Sequence, residues 1–300
     1  MNNYIVLVVF VGVFMYLQTV SAQMTSTNYQ ILWDSVNSGG LDISSSSSYQ
    51  LYDTIGQSAQ GRSLSTTYIQ DAGYRSGIYD QILSLNILGQ SDASSRSATA
   101  LSSLTITTDP TGLSVGDYVV VIQDRGASQV SGIGKIVSVG GSTITLDRLS
   151  TSGTTPTIDG TNDYVYKLSG TTLSLGTITI STVQTALIGF NVTADLPSGY
   201  TLQIKEDGEL RFGSYNVDDV SDGTVSSGSE EYGARSSDLS LSTTFDIQDS
   251  AMTSAYQEIV SSSSRKFDDR NFLTLKAGAS GSSYSGSYSQ TLSVILSGNF

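Results

Sequence analysis

The feature that most constrains the fold of this chain is the short alternation of apolar and polar residues that recurs along most of its length. After residue 22, no segment sustains the i, i+3, i+4, i+7 apolar spacing of an amphipathic helix. Gly, Ser, Asn and Asp separate the alternating segments, and Pro110, Pro156 and Pro197 stand in turn-like contexts, as strands require. The pattern predicts an all-β protein.

The composition favours a folded chain over a disordered one. Charged residues make up 14% of the sequence, well below the roughly 25% of an average soluble domain, and Ser, Thr and Gly take their place. The hydrophobic fraction of 38% is sufficient for a packed core. Disordered chains carry fewer β-branched and aromatic residues, so the 300 residues are expected to fold into two or three small domains.

The residue types that are missing exclude several kinds of chemistry. The sequence has no Cys and no His, so disulfides, thiolate metal sites and Ser–His–Asp or Cys–His catalytic sites are impossible. The net charge of −13 would repel nucleic acid phosphates and anionic lipid, and it would attract divalent cations. Nucleic acid is therefore not an expected partner.

The N-terminus has the pattern of a secretory signal, which we assign to residues 1–22. Tyr4–Leu17 is an almost unbroken apolar run, shorter than the roughly 20 residues that cross a bilayer. Val20-Ser21-Ala22 follows, with small residues at the positions that a signal peptidase reads. We predict a secreted, extracellular or cell-surface chain that begins at Gln23 and has no membrane span. A retained anchor is the alternative, because the signal lacks a cationic side chain.

Residues 23–80 contain an internal repeat. Ser26–Ile31 is echoed by Ser46–Leu51 and by Ser65–Gln70, and glycines follow each copy. We interpret each copy as a strand followed by a glycine turn and a return strand, so the region is predicted to form a β-meander.

The aromatic residues of this repeat region are candidate glycan ligands. Exposed rings in a shallow groove would stack on sugars, although tyrosine is also an ordinary half-buried strand residue, and packing within the sheet is the favoured interpretation. The candidate ligand-binding residues are Trp33, Tyr29, Tyr49 and Tyr68.

Residues 81–169 are predicted to form a small β-barrel domain. Leu113–Ile122 is a turn that enters an apolar strand, and Gly134–Leu146 carries a tight hairpin signal at Gly140-Gly141. The pattern resembles the SH3-like barrels of many surface and phage structural proteins. Such a barrel closes its own edges.

Residues 170–300 are predicted to form an antiparallel β-sandwich. We expect a long loop over Asp218–Ser237 and a short helix over Ala251–Val260. Ile82–Leu88 is an alternative first strand of this sandwich, with the barrel inserted after it. The predicted strands are Thr177–Thr182, Leu187–Thr193, Tyr200–Lys205, Leu239–Ile247, Phe272–Ala277 and Gln290–Leu296.

Two segments of this region resemble a family. Gly189–Ile204 contains a strand, the sequence Pro-Ser-Gly-Tyr and a second strand, and Leu275–Leu296 ends in Tyr-Ser-Gln-Thr-Leu-Ser-Val-Ile-Leu. They resemble signatures of bacterial secreted β-sandwich surface proteins, which include pilin-like and coat-like subunits and uncharacterised envelope proteins of ultrasmall bacteria. The resemblance implies surface display and a structural role, and it brings no catalytic residues.

Catalysis is not expected. Glu206, Glu209, Glu230 and Glu231 are possible carboxylates for glycoside hydrolysis, but the sequence has a single Trp and shows no aromatic cluster beside them. Ser263 and Lys266 have the spacing of a Ser–Lys dyad within a serine run, without the partner motifs of such enzymes.

Calcium is the ionic ligand that the sequence favours, and no other cofactor is expected. Short loops hold neighbouring carboxylates, and Ca²⁺ is bound by six to eight oxygens from such groups. The spacing is unspecific, so solvated acidic loops are the alternative. The candidate ligands are Asp218, Asp219, Asp222, Asp268 and Asp269.

Together these features predict a secreted cell-surface structural or adhesive protein, a subunit of an extracellular filament or surface layer. Its expected partners are copies of itself or other cell-envelope components. The segments Gln23–Leu32 and Gln290–Phe300 are the candidate exchange strands, because open sandwich edges accept further strands. A carbohydrate-binding module that acts at the cell wall or on a host surface is the alternative.

Overall fold

The computed structural model describes residues 82–299 and, before them, the backbone of six short strands. The chain divides into two units, Met1–Asp80 and Gln81–Phe300. The described part of the chain is all-β, and its regular elements other than strands are two single 3₁₀ turns, Asp92–Ser94 and Thr244–Asp246. None of its helical segments has the length and apolarity needed to cross a membrane.

The described residues of the first unit form three antiparallel pairs of strands. Four residues separate the strands of each pair, and in sequence those four end in the repeat tyrosine and include no glycine. The expectation that glycine turns connect the paired strands is therefore wrong for these pairs. The strands are β1 (Met24–Thr25), β2 (Gln30–Ile31), β3 (Ser44–Ser45), β4 (Gln50–Leu51), β5 (Gly61–Leu64) and β6 (Ile69–Ala72).

The second unit opens with β7 (Leu83–Gly89) and continues into a seven-stranded antiparallel sheet. The sheet strands are β8 (Arg96–Ser102), β9 (Thr105–Thr108), β10 (Tyr118–Gln123), β11 (Val130–Val139), β12 (Thr143–Leu146), β13 (Ser150–Thr151) and β14 (Tyr164–Leu168). The pairing order β10-β14-β8-β9-β12-β11 returns to β10, so six strands close into a small barrel, and β13 pairs with β11. The Gly140-Gly141 hairpin between β11 and β12 is confirmed.

The apolar run of β10 is continuous because both of its faces are buried. Val119 and Val121 point into the barrel core, whereas Val120 and Ile122 belong to a separate apolar cluster that also contains Phe272. Because Phe272 lies in the sandwich sequence, this second cluster joins the barrel to the sandwich.

The sandwich packs two antiparallel sheets around one core. Its strands after the barrel are β15 (Gln184–Ala194), β16 (Tyr200–Glu206), β17 (Arg211–Phe212), β18 (Tyr215–Asn216), β19 (Glu231–Ser236), β20 (Gln257–Ser262), β21 (Lys266–Gly278) and β22 (Leu292–Gly298). One sheet has the order β19-β21-β15-β7 and the other β20-β16-β22, while β17 and β18 form a hairpin. Since β7 pairs with β15, the barrel is inserted between two neighbouring strands of the sandwich.

Four local predictions for the sandwich are wrong. The predicted strand Thr177–Thr182 forms only an isolated bridge between Thr179 and Thr182, because no neighbouring strand in the described part of the chain pairs with it. The segment predicted as a helix over Ala251–Val260 instead leads into strand β20, and the segment predicted as a loop over Asp218–Ser237 ends in strand β19. The predicted strand Leu239–Ile247 contains a 3₁₀ turn. Leu239 and Ile247 are 57% and 67% exposed, so the apolar residues at its ends do not bury the face that would stabilise a strand.

An ion-pair network around a buried arginine joins the barrel to the sandwich. The Arg270 side chain on β21 is 1% exposed and donates to both carboxylate oxygens of Asp147 at 2.8 and 2.6 Å. It also pairs with Asp268 at 2.6 Å and lies over the Tyr118 ring. Burial would by itself raise the pKa of Asp147, but the hydrogen bonds from Arg270 and neighbouring backbone amides lower it to about 2.

Removing Arg270 is therefore expected to destabilise the second unit strongly. Arg270→Met would leave the partly exposed carboxylates of Asp147 and Asp268 without their hydrogen bonds from the guanidinium, a loss of about 1.5–3 kcal/mol of unfolding free energy. Arg265→Met is the matched control, since Arg265 is 58% exposed and pairs with Asp195 at the surface, where such a pair contributes at most about 1 kcal/mol. Urea unfolding measures both, and equal losses would contradict a structural role for the network.

Candidate functional site

The alternation of inward and outward residues along β16 places a carboxylate at one end of the sandwich core. Tyr200, Leu202 and Ile204 on β16 are fully buried, and Glu206 is the next residue on the same face. A strand with period two therefore buries an acid where the three preceding inward positions bury apolar side chains. Glu206 is 6% exposed.

Two further acids join Glu206 from the segments that follow it. One ligand atom each from Glu206, Glu209 and Asp219 lies within 4.8 Å of the others. The hairpin β17–β18 separates Glu209 from Asp219 in sequence, and the hydrogen bond from Val217 N to Leu210 O, at 2.9 Å, closes its base. We call Glu206, Glu209 and Asp219 the acidic cluster.

Backbone pairing fixes the position of Asp219. Asp219 forms a bridge with Tyr232 of β19, where Tyr232 N donates to Asp218 O at 2.8 Å and Val220 N donates to Tyr232 O at 2.9 Å. The segment around Asp219 therefore adds to the edge of the sheet. The side chain of Asp219 is half-buried there, while that of Asp218 is exposed.

Gln290, just before β22, contacts the acidic cluster from the C-terminal side. Its Nε2 donates to Glu206 Oε2 at 2.5 Å and to Gly208 O at 2.8 Å. Both partners are acceptors, so the amide group must present its NH₂ to them. Its Oε1 is buried and has no hydrogen-bond donor among the described residues.

The acidic cluster raises the pKa values of its own members. Burial, followed by the charges of Asp219 and Glu209, raises the pKa of Glu206 to about 7. Burial, followed by the charges of Glu209 and Asp218, raises the pKa of Asp219 to about 6. Both shifts have the sign expected for carboxylates that are desolvated among like charges.

The nearest guanidinium is engaged elsewhere. Arg211 forms a two-bond pair with Asp207, at 3.2 and 2.9 Å, and Asp207 also accepts a hydrogen bond from Thr291 N. These contacts lower the pKa of Asp207 to about 2. Arg211 thus neutralises Asp207, and no salt bridge to Glu206, Glu209 or Asp219 occurs among residues 82–299.

The structure separates the acids predicted to bind calcium. Asp219 belongs to the acidic cluster, whereas exposed Asp222 accepts a hydrogen bond from Thr224 N within its own turn. Asp268 joins the Arg270 network, and Asp269 accepts a hydrogen bond from Tyr200 OH at 2.8 Å.

Sequence reasoning did not assign the rest of the cluster to metal binding. Glu206 and Glu209 were considered only as acids for glycoside hydrolysis. Glu206 occupies the position after Tyr200, Leu202 and Ile204 in the alternation of β16, and that pattern alone could have predicted that its side chain points into the sandwich core. The remaining candidate ligand residues lie outside the described residues: Trp33, Tyr29, Tyr49 and Tyr68.

An aromatic-lined groove of about 1220 Å³ runs along the side of the sandwich. Its walls include Ile87 of β7, Val294 of β22 and the rings of Tyr284 and Tyr288. The β17–β18 hairpin is joined to these tyrosines, because Arg211 and Ser289 exchange backbone hydrogen bonds.

Four aromatic rings meet beside this groove. Tyr215 and Tyr284 stack with centroids 3.7 Å apart, and Phe212 and Tyr288 lie 6.0 Å apart. A Cβ at Gly286 would clash with the Phe212 ring, so glycine is required for this approach. Sequence analysis missed this group because two members come from the β17–β18 hairpin and two from a loop about 70 residues later in sequence, and they carry no shared motif.

Comparisons with known proteins found no matching family model, no matching curated protein and no matching solved structure.

The raised pKa values predict a pH-dependent stability in metal-free buffer. The folded pKa values of Glu206 and Asp219 lie above the roughly 4 of the unfolded chain. Between these values the folded state binds more protons, so the cluster's contribution to unfolding free energy decreases as pH rises from about 4 to about 7. Glu206→Gln and Asp219→Asn should each flatten this decrease and raise the melting temperature at neutral pH.

Calorimetry across this pH range measures the effect. Asp222→Asn is the control, because it removes an equal charge from an exposed turn and should leave the pH dependence unchanged. A melting temperature at neutral pH that falls in both cluster variants would contradict mutual repulsion among these acids.

Proposed function

We propose that this chain is a secreted cell-surface structural or adhesive protein whose subunits join through the edge strand β22. The observation that carries the proposal is the open edge of this strand. Within the described part of the chain β22 pairs with β16 alone. The backbone groups on its other side are free to pair with a strand of a neighbouring subunit.

Two of the other three edges of the sandwich are covered. At β20, Ser261 N donates to Asp238 Oδ2 and Glu258 O accepts from Thr243 Oγ1. The edge strand β19 pairs outward with the segments at Asp219 and Ser250. Side chains and short bridges of this kind protect an edge from further pairing. The remaining edge strand, β7, pairs with β15 and is bonded on its outer side only at Gly89, which contacts Gly170 and Ser169. The open edges are therefore β22 and most of β7, and the proposal assigns strand addition to β22.

The groove beside β22 offers apolar surface to an added strand. Leu292, Val294 and Leu296 are only partly buried although they pack against the sandwich core, and Ile295 on the other face is 40% exposed. The segment 171–180 also covers this core with Leu173, Leu175 and Ile178, yet it belongs to no sheet and its only bridge, between Thr179 and Thr182, is local.

The N-terminal sequence and the composition support surface display. An apolar run followed by Val20-Ser21-Ala22 is typical of a secretory signal. A surface rich in Ser, Thr and Gly without Cys or His carries few groups for catalysis. The proposal therefore assigns the chain a structural role and no reaction.

A charge on β22 should prevent self-association. Ile295→Lys places an ammonium on the exposed face of the edge strand, where lysine opposes edge pairing. Val137→Lys is the matched control, because Val137 is a β-branched strand residue of the barrel that is 49% exposed. Sedimentation velocity should show assemblies for the wild type and the control and monomers for Ile295→Lys. Equal assembly of both variants would contradict the assignment of β22.

The exposed rings favour glycan binding as a second candidate function. Tyr284 is 59% exposed and Tyr215 40% exposed, and their rings lie beside a groove lined with serine hydroxyls. Exposed aromatic faces next to hydroxyl and amide groups suit the apolar faces and hydroxyls of sugar rings.

Tyrosine variants test this second function. Tyr284→Ala should weaken binding to cell-wall or host glycans about fivefold, since an aromatic contact contributes about 1 kcal/mol. Tyr256→Ala is the control, because Tyr256 is 43% exposed away from the groove and lies beside Lys205. Glycan arrays followed by calorimetry measure the affinities. The absence of binding to any glycan would exclude this function, and cleavage of the glycan would show a hydrolase.

A further inference from the structure

The outer edge of β22 presents its backbone groups at alternate residues. Thr291 O accepts a hydrogen bond from Asp207 N, and Asn299 N donates to Gly199 O. The pairing with β16 runs between these two ends without a register shift, so the odd-numbered residues direct their N–H and C=O groups to β16. The even-numbered residues direct theirs away from β16, and in the described part of the chain these groups have no outer partner: Leu292, Val294, Leu296 and Gly298.

A second copy of β22 matches this order of free groups. Residues that form a hydrogen-bonded antiparallel pair exchange both of their backbone bonds. When two copies of β22 run antiparallel about Ile295, Leu292 lies opposite the partner's Gly298 and Val294 lies opposite the partner's Leu296. This register uses all four outward residues of each strand. A shift by one residue would oppose outward residues to inward ones, and a larger shift would leave an outward residue beyond the end of the partner strand.

The side chains of β22 also suit this register. Leu292, Val294 and Leu296 pack against the sandwich core but are only partly buried, and the pairing continues their apolar face into the second copy. Ile295 points to the opposite face and is 40% exposed. In the paired strands it meets the same residue of the partner in a position without hydrogen bonds, where side chains approach most closely. Apolar β-branched pairs of this kind stabilise a strand pair.

The absence of charge on β22 favours a second copy as the partner. The strand reads Leu-Ser-Val-Ile-Leu-Ser-Gly, whereas the whole chain has a net charge of −13. Like charges that lie directly opposite each other destabilise paired strands, so identical chains associate best at an uncharged edge. The other open edge, β7, is shorter, because Gly89 at its end already bonds to Gly170 and Ser169.

We propose that β22 pairs with β22 of a second copy of this chain, antiparallel about a twofold axis at Ile295. The inference rests on the proposed function, because it names the strand that adds at β22. A twofold contact uses the same surface on both copies. The pair of chains, and not the single chain, is then the repeating unit of a filament or surface layer, which grows through a further contact between pairs.

The test uses single cysteines in the full chain, which has no Cys of its own. In Ile295→Cys the two substituted residues face each other with Cα atoms about 4.5 Å apart, within the roughly 4.4–6.8 Å of disulfides. Mild oxidation should convert most of this variant to a dimer on non-reducing gels, and a reductant should reverse the change. Ser293→Cys is the matched control on the same strand and face. Its residue lies four positions, about 13 Å along the strand, from the same residue of the partner and should not cross-link.

Opposite charges at the axis give a second readout. Ile295→Lys and Ile295→Asp should each sediment as monomers, because like charges then meet across the axis, and an equimolar mixture should form dimers. Restoration of dimers by the mixture requires that residue 295 faces itself, which a merely destabilised edge would not explain.

The outcomes separate this inference from the proposed function. A wild type that assembles while Ile295→Cys fails to cross-link, or while Ser293→Cys cross-links equally well, would overturn the twofold register and leave strand addition at β22 intact. A wild type that remains monomeric at concentrations where it is folded would contradict both.

Discussion

The structure of the second unit depends on the burial of alternate residues of β15 and β16 against each other. β15 is the centre of its sheet, with β21 on one side and β7 on the other, and β16 is the centre of the opposing sheet. Phe190 and Val192 on one strand and Leu202 and Ile204 on the other are fully or almost fully buried in the shared core. Without disulfides, this apolar contact and the strand pairing around it must supply most of the stability.

The same alternation produces the features that have functional meaning. It points Glu206 inward at the end of β16, so one end of the core contains a carboxylate without an ion-pair partner among the described residues. It also leaves the inward side chains of β22 only partly covered, because that sheet has three strands and its neighbour has four. The acidic cluster and the open edge are therefore consequences of one arrangement, and Gln290 connects them.

Much of the architecture could be predicted from sequence because it follows from local patterns. The Gly140-Gly141 hairpin, the strand at Leu187–Thr193 and the alternative placement of Ile82–Leu88 in the sandwich all match the observed pairing. The 239–247 segment was assigned wrongly, because an apolar residue at each end imitates a strand although solvent surrounds both.

The candidate site was harder to predict for a physical reason. Its acids come from a strand end, a loop and a sheet edge, and its amide comes from a segment about 80 residues later. Neighbouring acids in sequence, such as Asp218 and Asp222, point to solvent instead. Only the tertiary pairing of Asp219 with Tyr232 and of Gln290 with Glu206 brings the oxygens together.

Electron microscopy of the purified protein, negatively stained with and without millimolar calcium, tests the structural role most directly. Strand addition at β22 predicts ordered filaments or sheets with a regular subunit repeat. Dispersed monomers under both conditions, at concentrations where the protein is folded, would contradict a subunit role and would leave glycan binding at the aromatic groove as the function to test next.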